Sequence, residues 1–496
     1  MSISPDSPPA GTVRDWLEKR ANLGGIAFVF PKTGTTVDWS TLRTEAQAFA
    51  ATLTRRGVTK GESVAIVSPN DREALVALYG ALVGGFRATM INLSAGRDAI
   101  SYALDHSGAR FAFVHSECAE LFAAANATGI IQIEPERGTV ADLHEITADD
   151  HALLMYTSGT TGRPKGVLHS HASLLAGGWT TAIAHDLGAQ DRGFCVLPIY
   201  HINGLCVTVM GTLVSGGSLA IVPRFSASRF WQQASDARVT WFSAVPTIIS
   251  HLLHGEAEPD DACRDRLRFG RSASSALAVE TQSAFENRFS VPIVETMGLT
   301  ETAAQILSNP LPPGLRKIGS PGVGFGCEVE IQSPNGARLD DGSEGEIVVR
   351  GPNVMLGYLN NAEATEATFR DGWLRTGDLA RMDDDGYIFV TGRLKELIIK
   401  GGENIAPREV DEALYTHPDV VEAAAFARKS DRYGETVEAA VRVRRGSAVD
   451  SSELIELCRE RVGGFKSPDV IHFLAELPKG PSGKIQRLKL AELIDA

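Results

Sequence analysis

"YTSGTTGRPKGVLHSH", residues 156–171, sets glycines at 159, 162 and 166 among Thr157, Ser158, Thr160 and Thr161, with Arg163 and Lys165 beside them. Glycine permits backbone conformations that aim several N–H groups at one anion. The hydroxyls add donors and the two cations add charge. A P-loop requires a lysine directly after its second glycine, followed by a magnesium-binding hydroxyl. Here Arg163-Pro164-Lys165 follows Gly162, and a proline stands where the helix should begin. The stretch therefore reads as a phosphate grip of another kind, with a plain polar turn as the competing reading. His169 and His171 form an isolated HxH with no third ligand in sight, which favours packing over metal binding.

At 496 residues the chain exceeds one ordinary core, so two or three domains are expected. Apolar content of 43% and charged content of 22% are those of a globular enzyme. The balance of 48 Lys+Arg against 61 Asp+Glu gives −13, which argues against a nucleic-acid binder. Cysteines 118, 195, 206, 263, 327 and 458 are scattered without CxxC spacing. A reduced, cytoplasmic setting follows, and a zinc site is not expected. The opening MSISPDSPPAGTVRDW has neither a basic start nor an apolar core, so no signal peptide is visible. The uncharged run from Gly204 to Val222 is roughly long enough to span a bilayer. Its glycines, and Gly-Gly-Ser at 216–218, instead predict a buried helix turning into a strand.

Short β-branched runs alternate with helical patterns. Strands are expected at 62–68, 110–114, 218–222, 239–244 and 291–295, with an apolar helix at 72–83. That rhythm predicts an α/β domain with largely parallel, buried sheets. From about residue 323, strands at 328–331 and 345–350 separated by Asn-Gly and Asp-Asp-Gly turns suggest an antiparallel sheet or small barrel. After Gly392 a helix near 410–414, strands at 420–427 and 436–443 and a helix at 451–462 form a smaller α+β unit.

Four further stretches follow the opening loop in order: "ETMGLTET" (295–302), "WLRTGDLARMDDDGY" (373–387), "TGRLKELIIKGGENIAPREVDEAL" (391–414) and "PSGKIQR" (481–487). Together the five closely resemble the adenylate-forming superfamily of acyl-CoA synthetases, luciferases and nonribosomal adenylation domains. The resemblance runs from about residue 20 to about 490. Outside the shared motifs, "RFSASRFW" (224–231), "TWFSAVPTI" (240–248), "QILSNPLP" (305–312) and "KIGSPG" (317–322) look like the small-acid branch that includes oxalate–CoA ligases.

The resemblance implies an AMP-binding N-terminal domain over 1–392 and a mobile C-terminal lid over 393–496, hinged near Lys395. It implies two steps, with ATP, Mg²⁺ and the co-substrate CoA. A carboxylate attacks the α-phosphate of ATP to give an acyl-adenylate and pyrophosphate, and the CoA thiol then attacks that anhydride. Both steps develop negative charge on oxygen, so positioned cations and N–H donors are required. By its motif Lys484 bridges carboxylate and α-phosphate. Thr157, Ser158, Gly159, Thr160, Thr161 and Lys165 grip phosphates. Thr300 offers a phosphate-contacting hydroxyl and Glu301 a magnesium-linked carboxylate. Adenine is expected between Ser274-Ser275-Ala276 and Thr296-Met297-Gly298, although Met297 stands where an aromatic residue is usual. Asp378 holds the ribose hydroxyls, and Arg393 serves the ribose and phosphate region. His201 stands near the carboxylate. Lys400, Gly401, Gly402 and Lys466 belong to the CoA side.

The acyl pocket is assigned to His201, Asn203, Ser243, Ala303 and Ala304. Oxalate–CoA ligases carry histidines where this chain has Asn203 and Ala304. A two-carbon dianion would use such donors, so a small to medium monocarboxylate is expected, Arg271 and Arg224 being the remaining candidate cations. The alternatives are an oxalate–CoA ligase proper and a stand-alone adenylation enzyme loading a carrier protein, but for the latter "TWFSAVPTI" lacks the aspartate that would hold an α-amino group. Retention of Lys484, Asp378, Arg393 and Glu301 argues against a non-catalytic sensor. A homodimer is compatible with the resemblance.

Overall fold

The computed structural model describes residues 4–136, 138, 141–157, 164–430, 432–480 and 485–495. Among them, two large sheets with parallel centres form the bulk of the N-terminal part. One runs, edge to edge, Gly357–Tyr358, Lys165–Ser170, His151–Thr157, Arg87–Met90, Ser63–Val67, Phe111–Val114 and Ile131–Gln132. The other places Ile293–Leu299, Phe269–Ser272, Trp241–Ala244, Arg192–Cys195, Ser218–Ile221 and Ile26–Phe30 side by side in parallel. The expected α/β class is therefore observed. Ser63–Val67 is buried at every residue, as a parallel strand covered on both faces must be.

The helices begin where the side chains say they should. The Asp71 carboxylate caps Arg72–Gly84 by accepting from Ala74 N, and Gly85 ends the helix in the left-handed conformation. The uncharged run after His201 becomes a π-helix over Asn203–Met210, continued by a short α-helix over Gly211–Ser215. Gly216 then turns the chain into the strand Ser218–Ile221. No helix among the described residues is long and apolar enough to cross a membrane.

The texture change near residue 323 is a third, antiparallel sheet built from Glu328–Gln332, Gly345–Arg350, Trp373–Met382 and Ile388–Arg393, with Phe369–Arg370 at an edge. Ile388–Arg393 thus carries Arg393 on this sheet. A fourth sheet starts at Ile398–Lys400 and is dominated by the hairpin Val420–Ser430 and Gly434–Val443. Its core of Ile398, Val410, Leu414, Val437, Val441 and Leu454 is separate from those of the larger part. All six cysteines are free thiols, and five are buried. Burial pushes the Cys195 and Cys263 thiols up to about 11.

Candidate active site

The carboxyl ends of three neighbouring parallel strands open on one cavity, the usual place for a ligand in an open α/β sheet. The chain leaving Trp241–Ala244 contributes Pro246 and Thr247. That leaving Phe269–Ser272 contributes Ser274, Ser275 and Ala276. The strand Ile293–Leu299 contributes Glu295, Thr296, Met297 and Gly298. Asp378 and Arg393 close another side, and the cavity measures about 280 Å³. Ser274 sits at φ +77°, a strained conformation for a residue with a side chain, and such strain concentrates at binding sites.

Asp378 and Arg393 lie opposite each other on paired antiparallel strands. Arg393 donates through Nε to Oδ1 and through Nη2 to Oδ2 of Asp378, the latter at 3.3 Å. Asp378's charge raises the Arg393 pKa further still. The two residues expected at the ribose are each other's partners, so pairing and ligand binding draw on one bidentate unit.

Several of the residues expected around the phosphates contact one another outside the cavity lining. Tyr358 Oη donates to Glu301 Oε1 at 2.9 Å, and the Lys165 ammonium lies 4.6 Å over the Tyr358 ring. Thr157 Oγ1 donates to the Lys165 carbonyl at 3.5 Å. His169 Nε2 donates to the Thr300 carbonyl at 2.7 Å, and burial pushes its pKa down to about 4. His169 and His171 are wholly buried and packed, as a neutral structural pair would be. One carboxylate with substrate phosphates completing the shell suits magnesium, and Glu301 would supply it. Ser158, Gly159, Thr160, Thr161 and Lys484 lie outside the described residues. Ile485 and Arg487, the end of the "PSGKIQR" stretch, line the cavity, with Arg487 Nη2 bonded to Asp411 Oδ2 at 2.6 Å.

The residues assigned to the acyl side form a buried polar network. Asn203 Nδ2 donates to Ser274 Oγ at 3.2 Å, and Ser243 Oγ donates to Asn203 Oδ1 at 3.1 Å. Arg271, paired in register with Ser243, donates to Asn203 Oδ1 at 2.8 Å and to Gln305 Oε1 at 3.2 Å. Ala303 and Ala304 are buried at φ +45° and +90°, two consecutive strained residues beside Glu301. His201 is half-buried, its ring 5.0 Å from that of Tyr200, and it does not line the cavity.

Other expectations do not converge here. Lys400, Gly401, Gly402 and Lys466 are absent from the cavity wall. Lys400 is buried in the smaller unit, its ammonium 3.5 Å from Asp469 and facing the rings of Phe465 and Tyr433. Lys466 pairs with Glu409. Lys395 is exposed, while its neighbour Glu396 lines the cavity.

Two groups escaped the sequence reading. Glu295 is buried on the cavity wall, accepting from Leu277 N, and burial pushes its carboxyl up to about 7. It stands inside the "ETMGLTET" motif, yet its burial is a tertiary property. Gln305 links Arg271 to His185 and is visible only in three dimensions.

Comparison with known proteins shows the family. Residues 16–359 match the AMP-binding enzyme family and residues 409–484 its C-terminal domain. The chain belongs to that family of adenylate-forming enzymes. It is similar to the sulfoacetate–CoA ligase of Cupriavidus necator, at 42% identity over 93% of each chain. The oxalate–CoA ligase of Arabidopsis thaliana is 34% identical over 88% of this chain and 89% of its own. Among solved structures, the o-succinylbenzoate CoA synthetase of Bacillus subtilis in complex with its acyl-adenylate superposes with a TM-score of 0.85 at 29% identity, covering 98% of both chains.

Proposed function

We propose that this protein is an ATP- and magnesium-dependent acid–CoA ligase that makes an acyl-adenylate from a small to medium acid and releases AMP and pyrophosphate. The observation that carries the reading is the cavity, which gathers Ser274–Ala276, Thr296–Gly298, Asp378 and Arg393 from widely separated motifs. The named activities of the similar ligases support the same chemistry.

Adenine lies between Ser274–Ala276 and Met297, whose thioether packs against the ring face. Asp378 accepts from both ribose hydroxyls while Arg393 holds its orientation. Lys165, Thr300 and the 157–161 hydroxyls grip the phosphates. Glu301 would hold the magnesium, which would supply positive charge to the phosphates. Lys484 brings carboxylate and α-phosphate together, and His201 stands at the carboxylate. The lid over 393–496 then turns about Lys395 to bring Lys400–Gly402 towards the anhydride, with Lys466 on the CoA side. Free cysteines support a reducing, cytoplasmic setting. The test is product analysis with ATP, Mg²⁺, CoA and a panel of acids. AMP and pyrophosphate are expected, with thioester only when CoA is present. ADP and phosphate as products would overturn the mechanism.

A further inference from the structure

Arg271 has relative exposure of 1%, on a strand paired on both sides, and is not itself on the cavity wall. Its hydrogen-bond acceptors are all neutral: Asn203 Oδ1, Ser243 Oγ and Gln305 Oε1. No carboxylate pairs with it among the described residues. The nearby His185 is also neutral, its pKa pushed down to about 3 by burial and by the charge of Arg271. Burial lowers the pKa of Arg271 itself to about 9, which still leaves it charged at neutral pH.

A buried cation without a counter-ion is among the most expensive arrangements in a protein interior, and buried charges are ordinarily paired. Other buried or half-buried cations of this chain are satisfied in two ways: Arg487, Arg316 and Arg393 pair with Asp411, Glu286 and Asp378, and Arg20 is held by the Leu213 and Val214 carbonyls. Arg271 differs in its place, at the inner end of a relay from the cavity wall. Ser274 lines the cavity, Asn203 bonds to Ser274, and Arg271 bonds to Asn203. Gln305, its other partner, lies opposite Gly298 on that wall and follows the small, strained Ala303–Ala304 pair.

We infer that Arg271 is the specificity-determining residue of the acyl pocket and takes the second anionic group, carboxylate or sulfonate, of a short dianionic acid. This rests on the ligase reading and reverses the sequence expectation of a monocarboxylate. That expectation counted lost histidines but could not see that the remaining cation is buried without an anion. A guanidinium presents a planar fork of donors that matches carboxylate or sulfonate oxygens. Asn203 and Ser243 hold the fork in place until the acid arrives.

The experiment measures kcat/KM for pyrophosphate release with oxalate, malonate, succinate and sulfoacetate against acetate, propanoate, butanoate and hexanoate. For wild type, at least one dianionic acid is expected to exceed the best monocarboxylate by tenfold or more. In Arg271→Met the ratio of that dianion to the best monocarboxylate should fall at least 100-fold, carried mainly by KM. Arg271→Lys, which keeps a cation without the fork, should fall between. A wild-type preference for monocarboxylates, or a ratio unchanged within threefold in Arg271→Met, would overturn the inference and leave the ligase standing. Pyrophosphate release with none of the acids would overturn both. Should the variants fail to fold, the wild-type panel decides alone.

Discussion

Asp378 and Arg393 show how much a residue-level reading can carry, because each was identifiable from its own motif and they meet across one pair of strands. Arg271 shows the limit. Its identity was legible, but the absence of an anion around it depends on strands brought together from residues 243, 271 and 305. Lys484 supports the sharpest single test. Lys484→Ala should lower adenylate formation by two to three decades, equivalent to about 3–4 kcal/mol. Thioester formation from supplied acyl-adenylate should be much less affected, which half-reaction assays would show. Glu295 supports a second. Its ordinary value of 4.5 rises to about 7 in the folded chain because burial disfavours the charge, despite the opposing pull of Arg408. Between those values the native state keeps a proton that the unfolded chain releases. Stability from this group is therefore full below about pH 4.5 and lost as pH rises through 7, by roughly 3 kcal/mol. Glu295→Gln should be more stable than wild type at pH 8 and lose that advantage at pH 5, as read from urea midpoints.

At the scale of elements, strand and helix periodicity exposed most of the framework, and the parallel strands stood out because they are apolar on both faces. The π-helix over Asn203–Met210 was not legible, since apolar composition does not distinguish one helical register from another. Nor was the seat of the helix His171–Ala184. Its Gly177 lies against the strained turn, where an added Cβ would stand 2.2 Å from the Ala303 carbonyl oxygen. Its Gly178 lies against the π-helix, with Met210 O at 2.6 Å from the same construction. Alanine favours a helix over glycine by about 1 kcal/mol. A contact this short with backbone must displace the turn, and overpacking of that kind costs about 1–3 kcal/mol. Gly177→Ala is accordingly expected to be destabilised in thermal unfolding, and to lose at least tenfold in kcat/KM because Ala303–Ala304 shifts beside Glu301.

For the whole molecule, the described arrangement brings Ile485 and Arg487 to the cavity and leaves Lys400–Gly402 away from it. Arg408 of the smaller unit holds this placement by donating to the Val390 carbonyl at 2.7 Å and the Gly319 carbonyl at 3.4 Å. The proposed role of Lys400–Gly402 in the second half-reaction would require the proposed lid over 393–496 to move, because this placement keeps them from the cavity. Lys395→Pro, which fixes φ at the proposed hinge, should leave one half-reaction nearly intact and slow the other. Equal losses in both would argue against a hinge there. Gly402→Phe gives the complementary test: an added Cβ meets nothing within 4 Å, so the cost is the backbone strain at φ +87°, about 1–3 kcal/mol, and thermal unfolding checks that the variant is folded. Adenylation is expected to persist while thioester formation falls at least tenfold.

The free cysteines take on a further meaning beside this chemistry. An acyl-adenylate is a strong electrophile, and any thiolate within reach would be acylated. The thiolate is the nucleophile, and burial that raises a thiol's pKa keeps it protonated. Cys195 stands on the strand beside Ser243 and Cys206 on the helix of Asn203, yet both are fully buried and their thiols are pushed up by desolvation. The protein thus shelters its own sulfur from the intermediate it makes, leaving the CoA thiol as the productive acceptor. Mass spectrometry of the chain after turnover with ATP and acid but no CoA should show no acyl adduct on any cysteine.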